Sequence, residues 1–284
     1  MPLDVVTAVD ELREQLADWR LAGDHIALVP TMGNLHEGHL SLAKIAREHA
    51  ERVVVSIFVN PTQFGEGEDL DSYPRTLERD KRLLQRAKVD LLFVPDIETM
   101  YPFGTDNATS VTVPALSDVL CGSFRPGHFE GVTTVVSRLF GLVQPDVAVF
   151  GQKDYQQQLV IRRMATDLSM PVEIVTGPTV REEDGLAKSS RNQYLTEEER
   201  EIAPRLFAVI SEVGEALAAG DRDIDRLEKN AQQQLEASGF EPEYISIRRA
   251  DNLEVPDEGT TEFVVLGAAW LGAARLIDNV LLEA

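Results

Sequence analysis

Pro30-Thr31-Met32-Gly33-Asn34-Leu35-His36-Glu37-Gly38-His39 decides how the rest of this chain is read. The apolar run Ile26-Ala27-Leu28-Val29 leads into it with the texture of a buried strand, and Leu40, Leu42, Ala43, Ile45 and Ala46 follow at helical spacing. The two histidines therefore stand at a strand-to-helix turn. Backbone N–H groups lack partners there and the helix dipole is positive, which suits phosphate oxygens. Gly33 and Gly38 let backbone approach a ligand closely. His36 and His39, three apart, face the same way on a helical turn and can donate hydrogen bonds to a triphosphate as charge builds on it. Metal ligation is the weaker reading, because the zincin pattern sets its histidines four apart and no third ligand cluster is evident.

Arg52-Val53-Val54-Val55-Ser56-Ile57-Phe58-Val59 reads as a second strand, buried on both faces. Two such strands joined by a helix make a βαβ unit with a right-handed crossover. The fold class expected is α/β, a Rossmann-like doubly wound parallel sheet with a smaller α+β C-terminal domain. Before the first strand, residues 4–22 read as an amphipathic helix carrying Val5, Val6, Leu12, Leu16 and Leu21, with Thr7 or Asp10 at its start. Further strands are expected at 90–95, 110–113, 145–150 and 171–175, and helices at about 73–87 and 132–143.

Polar groups then gather at the predicted carboxyl ends of these strands, where ligands bind in open parallel sheets. Asn60 and Gln63 follow the second strand. Arg125 and His128 lie in a loop shaped by Pro126, Gly127 and Gly131. Gly151-Gln152-Lys153-Asp154 repeats the first layout, a strand, a glycine, then polar groups at a helix start; Lys153 can meet phosphate as a point charge and Asp154 can accept from ribose hydroxyls. Val180 to Asn192 sets Ser189 and Ser190 between Lys188 and Arg191, which fits both a phosphate cradle and an interdomain linker. From Thr196 the texture changes to two long helical patterns, 197–219 and 222–238, and then to alternating segments near 241–250, 261–267 and 273–282 that read as antiparallel strands. The boundary is placed near Gly177-Pro178, giving domains 1–178 and 179–284, the second a lid over the first.

Composition narrows the function. A formal charge of −21 over 284 residues argues against non-specific nucleic-acid binding and requires local positive charge for any polyanionic substrate. No apolar run is long enough to span a bilayer. Met1-Pro2-Leu3-Asp4 lacks a basic region followed by an apolar stretch, so no signal peptide is expected. The single cysteine, Cys121, leaves no intramolecular disulfide, as fits a cytoplasmic protein.

The His-x-Gly-His turn after a first strand resembles the nucleotide-binding signature of the cytidylyltransferase and class I aminoacyl-tRNA synthetase superfamily. With the fuller Pro30–His39 string, Gln63, Arg125-x-x-His128-Phe129, Gly151–Asp154 and the Ser189-Ser190-Arg191 segment in order, the chain resembles the pantothenate synthetase (pantoate–β-alanine ligase) family. The resemblance implies ATP-dependent ligation of pantoate to β-alanine through a pantoyl adenylate, with Mg2+ accompanying ATP, and a homodimer. It implies that Pro30, Thr31, Met32, Gly33, His36, His39, Gly151, Gln152, Lys153, Asp154, Val180, Lys188, Ser189, Ser190 and Arg191 hold ATP. Of these, His36, His39, Lys153, Ser189, Ser190 and Arg191 would act on the phosphates, with His39 the candidate for proton transfer. Met32, Asn60, Gln63, Arg125, His128 and Gln157 would meet pantoate, and Asp80 would help hold Mg2+. Lys188 departs from the family, where an apolar residue is usual; its charge either touches a phosphate or faces solvent. Two competitors remain. A nucleotidyltransferase would need a basic pocket where this chain has glutamines. A non-enzymatic nucleotide-binding module could dispense with Lys153 or the histidine pair, and all three are present.

Overall fold

The computed structural model describes residues 3–284, so the Met1-Pro2 part of the leader reading lies outside the described residues. Six parallel strands form the main sheet: β1 (Asp4–Val6), β2 (Ile26–Thr31), β3 (Arg52–Ile57), β4 (Leu91–Phe93), β5 (Val147–Gly151) and β6 (Glu173–Gly177). Their order is β1-β4-β3-β2-β5-β6, with Ala27 opposite both Val53 and Val147. The chain winds outward from β2 in one direction and from β5 in the other, so the topological switch point lies between these two strands.

Alternation explains the continuous apolar runs. Ile26, Leu28 and Val54 belong to one core, whereas Ala27, Val29, Val53 and Val55 belong to another on the opposite face of the sheet. Helices α1 (Val9–Ala22), α6 (His128–Val143) and α7 (Tyr155–Asp167) supply Leu12, Val135 and Ile161 to the first core; α2 (Glu37–His49) and α3 (Leu77–Arg86) supply Leu42 and Leu84 to the second. Short helices α4 (Ile97–Met100) and α5 (Cys121–Phe124) lie in the long connection between β4 and α6.

After β6 the chain builds α8 (Glu197–Ile202), α9 (Arg205–Ala218) and α10 (Ile224–Ala237), then an antiparallel sheet of β7 (Glu241–Arg249), β8 (Glu262–Leu271) and β9 (Ala274–Glu283). One face of this sheet packs on α9 and α10 through Ile245, Val265 and Leu276. Its other face sends Tyr244, Val264 and Leu266 into the core of the α/β part. Tyr155 Oη donates to Ala250 O at 2.7 Å, and Asn279 Nδ2 donates to the carbonyls of Gln152 and Lys153, fixing the β9 side against the start of α7.

Five expectations change. Val5 and Val6 do not open a helix; they form the edge strand β1 against β4, and α1 begins at Val9 with Ala8 at its cap rather than Thr7 or Asp10. Residues 110–113 are not a strand, because the backbone of Val111 is satisfied by the hydroxyls of Thr133 and Thr134 on α6. Pro204 has no N–H to give, so the pattern at 197–219 is split into α8 and α9. Helix α6 starts at His128, four residues earlier than the apolar run from Val132 indicates, and α3 starts at Leu77 rather than Tyr73.

Candidate active site

The turn after β2 is built to present the histidines. Gly33 sits at φ +82°, where a Cβ would also meet Ile57 Cγ2 at 3.0 Å, so glycine is required there. Asn34, at φ +48°, turns the backbone again. Both following amides are caught by one carboxylate: Asn34 N–H and Leu35 N–H each donate to Asp80 at 2.9 Å, and the Thr76 hydroxyl donates to it at 3.1 Å. Asp80 is fully buried. Where the resemblance has Asp80 help hold Mg2+, here its oxygens fasten the turn from a fully buried position.

His36 caps α2. Its Nδ1 accepts from Gly38 N–H at 3.1 Å, and His39 Nδ1 accepts from His36 N–H at 3.3 Å. A ring nitrogen that accepts carries no proton, so both neutral imidazoles bear theirs on Nε2. The rings lie 4.1 Å apart. Desolvation, with Lys153 and Lys188 nearby, lowers the pKa of His36 to about 4; desolvation, then His36 and Lys153, lowers that of His39 to about 3. In this state both are neutral Nε2–H donors. Gly38 is needed because a Cβ there would stand 2.9 Å from the His36 ring.

Beside them lies a cleft of about 220 Å3 between the carboxyl ends of β2 and β5. Pro30, Thr31, Met32, His36, His39, Gln63, Gly151, Lys153, Asp154, Gln157, Val180, Lys188, Ser189, Ser190 and Arg191 all line it. Among the described residues the Lys153 ammonium has only Asp154, at 4.0 Å, as an ionic neighbour. Arg191 is held by Asp69 through two hydrogen bonds of 3.1 and 2.8 Å. Ser190 Oγ donates to Asn34 O at 3.1 Å, tying the Val180–Asn192 segment to the turn after β2. Lys188 neither faces open solvent nor stands free for a phosphate: it pairs with Glu37 and Glu182.

Several expected ligand residues stand outside this lining, Arg125 and His128 in a small adjoining cavity that shares Lys153, Asp154 and Gln157 with it. Asn60, 1% exposed, donates to Gln63 Oε1 at 3.2 Å and accepts from Tyr101 Oη at 2.7 Å, so it orients Gln63. Arg125 is locked to Glu68 by two bonds of 2.6 Å and donates to His128 Nε2 at 3.0 Å. The proton of His128 is then on Nδ1, which donates to the Gln63 carbonyl at 2.8 Å. Desolvation and the Arg125 charge lower the pKa of His128 to about 4 and keep it neutral. Arg125 and His128 thus brace the backbone of Gln63 from behind. The Gln152 side chain turns toward Asn279, and Gly33 is packed beneath the turn.

An apolar wall went unread in the sequence: Phe58, Tyr73, Val132, Val135, Val136 and Leu139 line the inner end of the cleft. The α6 residues among them carry the periodicity of a core face, and nothing in that periodicity separates core from cleft wall. Gly131 allows the close approach of α6, since a Cβ there would lie 2.4 Å from Thr62 O and 2.6 Å from Gln63 N.

The family profile described as pantoate-beta-alanine ligase matches residues 4–281. A pantothenate synthetase of Pseudomonas fluorescens is 54% identical over 281 residues, covering 99% of this chain and 98% of its own. One from Thioalkalivibrio sulfidiphilus is 55% identical, covering 95% and 94%. Among solved structures, pantothenate synthetase from Thermus thermophilus superposes with a TM-score of 0.91 at 47% identity, with 98% of each chain covered. Pantoate-beta-alanine ligase from Francisella tularensis, complexed with β-γ ATP and β-alanine, superposes with a TM-score of 0.82 at 31% identity, covering 98% and 97%.

Proposed function

This chain belongs to the pantoate-beta-alanine ligase family, and from that premise we propose that the β2–β5 cleft is the seat of its reaction, with the residue roles given below. The enzyme ligates pantoate to β-alanine with ATP. A pantoate carboxylate oxygen bonds to the α-phosphorus of ATP while the bond to pyrophosphate breaks. The β-alanine amine then bonds to the acyl carbon of the pantoyl adenylate, the acyl C–O bond breaks, AMP leaves and the amine passes its proton to water. A carboxylate oxygen is a poor leaving group until it is phosphorylated, so the protein's task is positioning and charge stabilisation.

The observation that carries this reading is convergence: two Nε2–H imidazoles, the lightly paired Lys153, and Ser189, Ser190 and Arg191 line one cleft at the topological switch point. His36, His39 and Lys153 would stabilise charge on the phosphates, and Arg191 would exchange Asp69 for a phosphate. Gly151 and Asp154 would sit at the ribose. Gln63 and Gln157 would bind pantoate's polar groups, and Met32, Phe58, Val132 and Val135 would face its geminal methyls. The Francisella tularensis relative, complexed with β-γ ATP and β-alanine, supports binding of both by this chain. Mg2+ is proposed to arrive on the triphosphate, with phosphate oxygens and water as ligands. The chain does not fit a resident metal site: among the described residues no three His, Cys, Asp or Glu side chains cluster, and Asp80 is engaged elsewhere.

The division at 178/179, a homodimer and a cytoplasmic location are proposed alongside. Closure of the 180–192 segment and the C-terminal unit over the cleft would shield the adenylate from water. The test is pyrophosphate release from MgATP. A pantoate-dependent burst equal to the enzyme concentration, turning to steady release once β-alanine is added, is expected. ATP binding without any pantoate-dependent pyrophosphate would overturn the assignment.

A further inference from the structure

Residues 180–188 form a small hairpin beside the cleft. Lys188 N donates to Val180 O at 2.9 Å, Glu182 N donates to Leu186 O at 2.8 Å, and Arg181 bridges Ala187 across the arms. Arg181 anchors the root of this hairpin to β9 through two bonds to Asp278. Its turn lies against α8 and α9, with Asp184 paired to Arg200 and Gly185 beside Phe207, while its open end, at Val180 and Lys188, faces the α/β part. There the Lys188 ammonium lies 2.8 Å from Glu182 on the outgoing arm and 2.5 Å from Glu37, the first residue of α2.

Lys188 is the cleft cation with the most anionic company. Lys153 has a single carboxylate at 4.0 Å, whereas Lys188 has two within 2.8 Å and is only 17% exposed. A phosphate ligand would have to displace both. The Glu182 pair stiffens the hairpin itself. The Glu37 pair joins the hairpin to the residue between His36 and Gly38, one step from the rings that face the cleft. Other contacts that join the same segment to the α/β part, Ser190 to Asn34 and Arg191 to Asp69 and to the Tyr73 ring, involve groups that a nucleotide would recruit.

We propose that Lys188 and Glu37 form a clasp that holds the 180–192 segment shut against the start of α2, so that the pair sets how firmly nucleotide is retained without touching the reacting atoms. Both are positioning residues. The inference rests on reading Ser189–Arg191 as phosphate-binding. It predicts behaviour that a direct Lys188–phosphate contact does not, because Glu37 would then oppose binding, whereas in a clasp it supports it.

The test is a double-mutant cycle read by titration with a non-hydrolysable ATP analogue and by initial rates. Lys188→Met keeps the length and removes the charge, and Glu37→Gln keeps the shape. For a partly exposed pair, each single variant should weaken analogue binding about threefold to fivefold, with the double variant no weaker than either. More of the loss should appear in KM for ATP than in kcat. Because the Debye length falls from about 10 Å at 0.1 M salt to about 3 Å at 1 M, added NaCl should narrow the gap between parent and variants. Glu37→Gln that binds as the parent does, or more tightly, while Lys188→Met binds worse would overturn the clasp. So would losses that add in the double variant. Arg191→Gln tests the underlying reading separately: if it leaves analogue affinity unchanged, the phosphate-binding assignment of the segment fails, whatever the clasp variants show.

Discussion

Replacing Asp80 by Asn separates two accounts of a buried carboxylate. In this structure Asp80 accepts from Asn34 N–H, Leu35 N–H and the Thr76 hydroxyl and holds the turn that presents His36. An amide has one acceptor oxygen, so in either orientation at least one backbone N–H loses its partner and faces an NH2 group. Orphaning a buried donor costs about 1–3 kcal/mol, and the bonds that remain fall from charged to neutral strength, so the total is about 2–5 kcal/mol. At about 2–4 °C per kcal/mol, Tm should fall by roughly 4–20 °C. Calorimetry of the parent and Asp80→Asn proteins measures this, and a Mg2+ titration of pyrophosphate release beside it gives the second axis. The expected result is a large drop in Tm with little change in the Mg2+ concentration at half-activation. An unchanged Tm with a raised Mg2+ requirement would refute the reasoning and return Asp80 to the metal.

Lys153→Met should lower the rate of adenylate formation about 10²–10³-fold, as for loss of one charge-stabilising donor, measured by pre-steady-state pyrophosphate release. Its stability should stay within about 0.5 kcal/mol of the parent, since the ammonium's ionic neighbour Asp154 stands at 4.0 Å. Gly131→Ala pushes a methyl into Thr62 O and Gln63 N and should lower kcat/KM for pantoate by about 10–100-fold, with a much smaller effect on the ATP term. His128 stays neutral in the fold down to about pH 4, whereas the unfolded chain protonates it near 6.5. Between those values the unfolded state holds the extra proton, so stability rises with pH, is fully present above about 6.5, and falls on acidification by about 1.4 kcal/mol per unit for this group. His128→Asn, whose amide nitrogen can take the place of Nδ1, should flatten denaturation midpoints against pH by about one proton in that window.

Much of the α/β part was legible because its physics is local. Strands buried on both faces spell unbroken apolar runs, as in Ile26–Val29 and Val53–Val55, and polar groups following such strands land on one rim. The histidine pair, Lys153 and the Ser189–Arg191 segment could be placed for that reason. What escaped depends on distant pairings. Asp80 lies 46 residues from Asn34, Glu68 lies 57 from Arg125, and Arg191 lies 122 from Asp69, so a motif match assigns each residue to a ligand when its partner is another side chain or backbone group. The apolar wall of α6 escaped for a different reason: a helix stripe facing a substrate cleft and one facing core have the same period. The break at Pro204 was missed although its signal is local, since a proline inside a helical pattern removes a donor and ends the helix.

The central claim is that pantoate's own carboxylate attacks the α-phosphorus of ATP in this cleft. Pantoate labelled with ¹⁸O in both carboxylate oxygens, turned over with MgATP and β-alanine, tests it by mass spectrometry of the products. One labelled oxygen in AMP, one in pantothenate and none in pyrophosphate is the predicted result. AMP free of label, or label in a phosphate released from the γ-position, would contradict it.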